Sequence, residues 1–185
     1  VDVRFPVKEF EQKQSYTYFL GHQAQAEWNF TSYTETPFSD TEINPRNRRK
    51  ITFRVSQEHN AFIDSFKISD YGTFVEAYEY YDYTKLELDW REYIGLPLES
   101  ALDLDLHTGI ITKPVHEFFN FFAGGLLGLR GFPYYSIEGR KLLVGRATYR
   151  FPIWQNINQR LLNLHFDNLY AGVFYDAGNA FNHDK

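Results

Sequence analysis

The chain has no cysteine and no methionine among its 185 residues. The missing cysteine excludes disulfides and thiolate metal sites, and suggests only weakly which compartment the chain occupies. A start at Val1 with no methionine anywhere reads as a processed or cut segment. No run approaches the eighteen or so apolar residues of a membrane helix, and no signal peptide opens the chain. The 19 basic residues are dispersed among 24 acidic ones, so a nucleic-acid partner has no support. Helical periodicity is sustained nowhere, and no break in composition argues for two domains.

What the chain does have is aromatic side chains, at 19% with 14 Tyr and 18 Phe, combined with a mean hydropathy of -0.47. Many aromatics at low average hydropathy fit strands that alternate apolar and polar residues. Transmembrane barrels have this composition, because lipid-facing and lumen-facing positions alternate between aromatic girdles. A soluble aromatic-rich β-sandwich has it too, and composition alone leaves both open.

Period-two alternation recurs along the chain. Ile51, Phe53 and Val55 alternate with Thr52, Arg54 and Ser56. Leu86, Leu88 and Trp90 alternate with Glu87, Asp89 and Arg91, and Leu102, Leu104 and Leu106 with Asp103, Asp105 and His107. Segments 142–151 and 168–181 read as strands, and 18–31 as a weaker one, which makes about six. Their length suits the nine to eleven residues that cross a bilayer, and tyrosines crowd strand ends at Tyr78, Tyr80, Tyr81 and Tyr83. Long connections are expected at 32–48, 63–82 and 113–140, a short one at 95–98 and a medium one at 154–165. With 113–140 and 63–82 outside, the short turn falls on the periplasmic side, as barrels require; the long 32–48 connection fits that scheme less well.

Within 113–140, Gly124, Gly125, Gly128 and Gly131 surround Arg130. Asp176 sits in the apolar, strand-like Phe174-Tyr175-Asp176-Ala177-Gly178-Asn179. A charge in such a segment costs several kcal/mol unless it is paired or reaches water, so Arg130 and Asp176 are each other's most economical partners. Arginine offers a carboxylate a planar fork that locks geometry bidentately, and the glycines let the backbone double back.

These residues resemble a known family. Leu129-Arg130-Gly131-Phe132 is similar to its (V/L)-R-G-(F/Y) loop. Thr148-Tyr149-Arg150-Phe151-Pro152 looks like its E-x-R-F-P strand end, and Phe174 to Asn179 like its F-x-D-x-G-N strand. Asn44-Pro45-Arg46-Asn47-Arg48-Arg49 resembles its N-P-T-x-G-x-R turn. The family is the bacterial surface-antigen family of BamA/TamA-type outer-membrane barrels, which insert or translocate proteins. The resemblance implies a sixteen-stranded antiparallel transmembrane β-barrel whose loop, carrying Arg130, Gly131 and Phe132, folds into the lumen and is latched to Asp176. It marks Arg150, Phe151, Pro152, Gly178 and Asn179 as strand motifs. Thr148 stands where the family often has an acid, so a second carboxylate for Arg130 is missing or comes from elsewhere, with Asp103 or Asp105 as candidates. The family continues with three more strands beyond Lys185, so the chain is expected to hold a lead-in at 1–17 and a partial barrel at 18–185.

The implied activity involves no enzyme chemistry, cofactor or metal. The implied partners are outer-membrane lipids, client outer-membrane or secreted polypeptides, and accessory lipoproteins or periplasmic domains; the implied location is the bacterial outer membrane. The rival readings are a barrel that anchors or exports a fused N-terminal enzyme or binding domain, and a soluble β-sandwich binding module. The glycines lack the Lys-Ser/Thr of a phosphate loop, and the six histidines show no ligand spacing. Asp103 with Asp105, and Glu87 with Asp89, have the same-face spacing of catalytic carboxylate pairs but read more simply as luminal charges. Ser136 and His116 do not assemble into a triad from sequence.

Overall fold

A computed structural model describes residues 2–4, 11–13, 16–33, 45–125, 128–162 and 164–182. Six strands form one antiparallel sheet in chain order: β1 (Phe19–Tyr33), β2 (Arg48–Ile68), β3 (Phe74–Gly95), β4 (Ala101–Ile111), β5 (Lys141–Trp154) and β6 (Leu169–Phe181). Among the described residues there is no α-helix. The protein is all-β, a portion of an antiparallel barrel. Short hairpins add Asp2–Arg4 with Glu11–Lys13, Phe121–Phe122 with Glu138–Gly139, and Gln159–Leu161 with Leu164–Phe166.

The pairing register sorts every strand residue onto one of two faces. Arg91 lies opposite Asp105, Asp105 opposite Arg146 and Arg146 opposite Asp176, so one face is a row of charges across four strands. Glu27, Arg54 and Glu87 continue it across β1 to β3. The other face is apolar and uncovered: Trp28, Phe53, Trp90, Leu143 and Val173 are all at least 40% exposed. A soluble sandwich would cover this face with a second sheet, and among the described residues none does.

Polar pairs bound the apolar face at both ends. Arg49 pairs with Glu92, which also accepts a bond from the Trp90 indole, at the short-turn end. At the other end Thr84 bonds Gln57, and His59 pairs with Asp82. The ten residue steps from Asp82 to Glu92 rise about 33 Å along the strand, or about 25 Å at a barrel's usual tilt, which matches the apolar band of an outer-membrane barrel.

The structure differs from expectation at 63–82, read from sequence as a long loop. Here β2 and β3 run on past the band and meet in a tight turn, where Ser69 N–H donates to the Thr73 carbonyl at 2.8 Å. A register shift between Ile63 and Ser65 breaks the period-two pattern, and tyrosines occupy both faces, so the alternation is lost while the ladder continues. The 32–48 connection lies mostly outside the described residues, as does Asn44. Its end docks on the short turn: Arg46 Nη2 donates to the Leu96 carbonyl at 2.9 Å, and Asn47 Oδ1 accepts from Gly95 N–H at 3.2 Å.

Candidate functional site: a loop seated on the polar wall

The connection from β4 to β5 does not leave the sheet. It folds back over the polar face and forms the main buried cluster among the described residues there. Phe121, Ala123 and Leu129 from the loop join Tyr83, Ile111, Leu142, Val144 and Ala180 from the wall. A 3-10 turn at Glu117–Phe119, capped by His116, sets Phe118 and Phe119 against the Phe62 ring at 5.4 and 5.8 Å, and Tyr83 lies 5.9 Å from Phe119.

Beyond this cluster the loop tip lowers Arg130 onto β6. Arg130 Nε lies 2.7 Å from Asp176 Oδ2 and Nη2 lies 2.8 Å from Oδ1, a bidentate fork, and the Arg130 backbone N–H donates to Oδ2 at 3.3 Å. The guanidinium carbon stands 3.5 Å from the centroid of the Phe174 ring, a cation–π contact on the same face. The hydrogen bonds that Arg130 donates to Asp176 hold its pKa above its ordinary value, so the loop cation keeps its charge. The Asp176 side chain is only 6% exposed.

Two of the four loop glycines take backbone angles that disfavour a side chain: Gly125 at φ +94° and Gly131 at φ +97°. Gly124 and Gly128 instead sit where an added Cβ would strike the Pro133 and Ala123 carbonyls. Phe132 is 53% exposed and anchors the tip by its backbone, its carbonyl accepting from Gly125 N–H at 2.9 Å.

The strand-motif residues are spread along the wall. Arg150 meets Asp103 at 3.5 Å on the polar face, while Phe151 stacks on Tyr149 at 5.6 Å on the apolar face. Pro152 lies beside the register shift between Leu169 and Tyr170, where a residue without an N–H is tolerated in a ladder. Gly178 faces Val144 across the strands, and Asn179 Oδ1 accepts from the Ala180 N–H at 2.9 Å.

The second carboxylate suggested for Arg130 is not there. Asp103 is engaged by Arg150 and Asp105 by Arg91. What Asp176 has instead is a second arginine, which sequence reasoning passed over: Arg146 Nε lies 3.2 Å from Asp176 Oδ1, and Nη2 donates to the Gly128 carbonyl at 2.7 Å. A signal for it was available, since Arg146 shares its strand face with Thr148 and Arg150. The other carboxylates considered for chemistry also have partners, Asp89 with His107 and Glu87 with Arg54. The His116 ring lies tilted against Phe62, centroids 4.3 Å apart, and Ser136 Oγ donates to the Pro133 carbonyl, so both serve local structure. Among the described residues, no group of three His, Asp or Glu side chains is placed to hold a metal ion.

No curated protein and no solved structure matches the chain. The family model described as Omp85 superfamily domain matches residues 11–185, a stretch that contains the loop, Arg150 and Asp176. The chain belongs to the Omp85 superfamily, a family of outer-membrane barrel proteins involved in inserting and translocating polypeptides.

Proposed function

We propose that this chain is part of an outer-membrane barrel that inserts or translocates client polypeptides, with the inward-folded loop latched by Arg130 to Asp176. The fork of Arg130 on an Asp176 side chain only 6% exposed carries this reading. A bidentate guanidinium–carboxylate pair fixes one geometry, and its position on the polar wall makes the loop part of the lumen lining. The apolar band faces outer-membrane lipid, and the loop end of the barrel faces outward. Client chains move through the seam or the lumen without covalent chemistry, a reading supported by the pairing of each candidate carboxylate with a basic side chain. Accessory lipoproteins or periplasmic domains would meet the short-turn end.

The test uses the full-length barrel in liposomes, with Arg130→Ala and Asp176→Asn, scored for heat-resistant folding and for client assembly. The expected result is a folded barrel that assembles clients about tenfold more slowly, the loss of one charged hydrogen-bonded pair. Unchanged stability together with unchanged assembly refutes the latch. If the barrel only anchors or exports a fused N-terminal domain, the variants leave client assembly untouched and alter only that domain's surface display. A full-length protein that fractionates as soluble without detergent sinks the membrane reading.

A further inference from the structure

The carboxylate that receives the loop arginine already has a cation of its own. Arg146 stands directly opposite Asp176 in the β5–β6 ladder, so the two travel together with the wall and keep their contact wherever the loop is. The neighbouring wall carboxylates have cations from the wall as well: Asp103 meets Arg150 and Asp105 meets Arg91, as Asp176 meets Arg146. Arg130 is therefore a second cation, brought by the loop to a carboxylate that already has one.

This matters for release. Removing one partner of a nearly buried ion pair is strongly unfavourable when it strands the other charge. A latch made of Arg130 and Asp176 alone would leave Asp176, 6% exposed with the loop seated, without any cation each time the loop lifted. With Arg146 at 3.2 Å, the carboxylate stays compensated. When the loop leaves, Arg146 also loses its acceptor at the Gly128 carbonyl, which frees its Nη2 for Asp176. The same side chain thus grips the seated loop and covers the vacated carboxylate.

We propose that Arg146 is a positioning residue, the resident counter-ion of Asp176 that makes the Arg130 latch reversible; this rests on the latch reading above. As counter-ion, Arg146 is redundant while Arg130 is seated and essential when it is not. The experiment is a double-mutant cycle in the full-length barrel refolded into liposomes, read by urea unfolding. A second readout is thiol labelling of Leu129→Cys, a buried loop position, in a background without other cysteines. Arg146→Gln alone is expected to shift the unfolding equilibrium less than about threefold, and in the Arg130→Ala background at least about tenfold more than that, the coupling of two groups that share one partner. Adding Asp176→Asn to the double variant removes the stranded charge and should restore stability, which a merely structural role for Arg146 would not produce. Equal shifts in the two backgrounds, or no rescue by Asp176→Asn, overturn the proposal. The latch reading is judged separately by labelling: if Arg130→Ala leaves Leu129→Cys as protected as before, that reading fails, whatever the cycle shows.

Discussion

The loop's apolar seat can be tested at one point of contact. The Phe121 ring, 5% exposed, lies against Gly109 on the polar face of β4, and Lys85 Nζ stands 4.4 Å from its centroid. An added Cβ at Gly109 would come within 2.8 and 2.9 Å of ring carbons Cε1 and Cε2. Real Cβ atoms do not approach that closely, so the ring would have to move. Truncating the ring should cost the seated loop about 3 kcal/mol, roughly a hundredfold in its opening equilibrium, at the low end for a core phenylalanine because one side of the loop is wet. Gly109→Ala should cost about 1–3 kcal/mol by overpacking in the native background. In the Phe121→Ala background the same methyl enters vacated space and should cost close to nothing. Protection of the Leu129→Cys thiol, measured for the parent, both single variants and the double variant in the full-length barrel, closes the cycle. An equal cost for Gly109→Ala with and without the ring would refute the contact.

Arg130→Lys keeps the charge but loses the fork and the contact with the Phe174 ring at 3.5 Å; it should lose about 1 kcal/mol of loop protection, less than the tenfold cost of full truncation, and full protection would show that charge alone suffices. Tyr83, 2% exposed, donates to Glu58 Oε2 at 2.5 Å and accepts from Asn60 at 2.9 Å. Tyr83→Phe should lower barrel stability by about 1–3 kcal/mol in urea, because both partners lose a buried bond. Phe53→Arg, near the middle of the apolar band opposite Leu88, should cost about 2–4 kcal/mol of folding into a bilayer, whereas Tyr80→Arg, beyond the polar boundary, should cost close to nothing. Equal costs would place the membrane elsewhere.

Much of the sheet was legible because period-two alternation survives wherever one face is polar and the other apolar. Strands β4 and β5 follow the expected 101–107 and 142–151 closely, since Leu102 to Leu106 and Leu143 to Phe151 alternate cleanly. The upper halves of β2 and β3 were not legible. There the bulge after Ile63 shifts the register, and Tyr78, Tyr80 and Tyr81 put aromatics on both faces. Arg130 and Asp176 stood out because each is a charge in a setting that penalises charge. Arg146 did not, because it sits in a strand with Arg150 and looks like one more luminal base. The loop's apolar seat was illegible for a different reason. Phe118, Phe119, Phe121 and Leu129 show no regular period, and only the tertiary fold reveals that they converge on Phe62, Tyr83 and Gly109.

The loop is held by two kinds of contact that answer different questions. Apolar burial by Phe121, Ala123 and Leu129 is non-directional, scales with area and tolerates small displacements. It decides how often the loop is seated. The Arg130 fork is directional: a slip of one residue, about 3.3 Å along a strand, breaks both of its bonds to Asp176 while leaving most apolar contact intact. It decides where the tip comes to rest. Loss of Phe121 should therefore empty the seat more than loss of Arg130, by roughly a hundredfold against tenfold in thiol protection. Loss of Arg130 should harm client assembly out of proportion to the small fraction of loop it releases, because a seated but misregistered tip still occupies the lumen wall. If both variants instead fell on one line relating protection to assembly, occupancy alone would govern function and the directional role of the ion pair would be disproved.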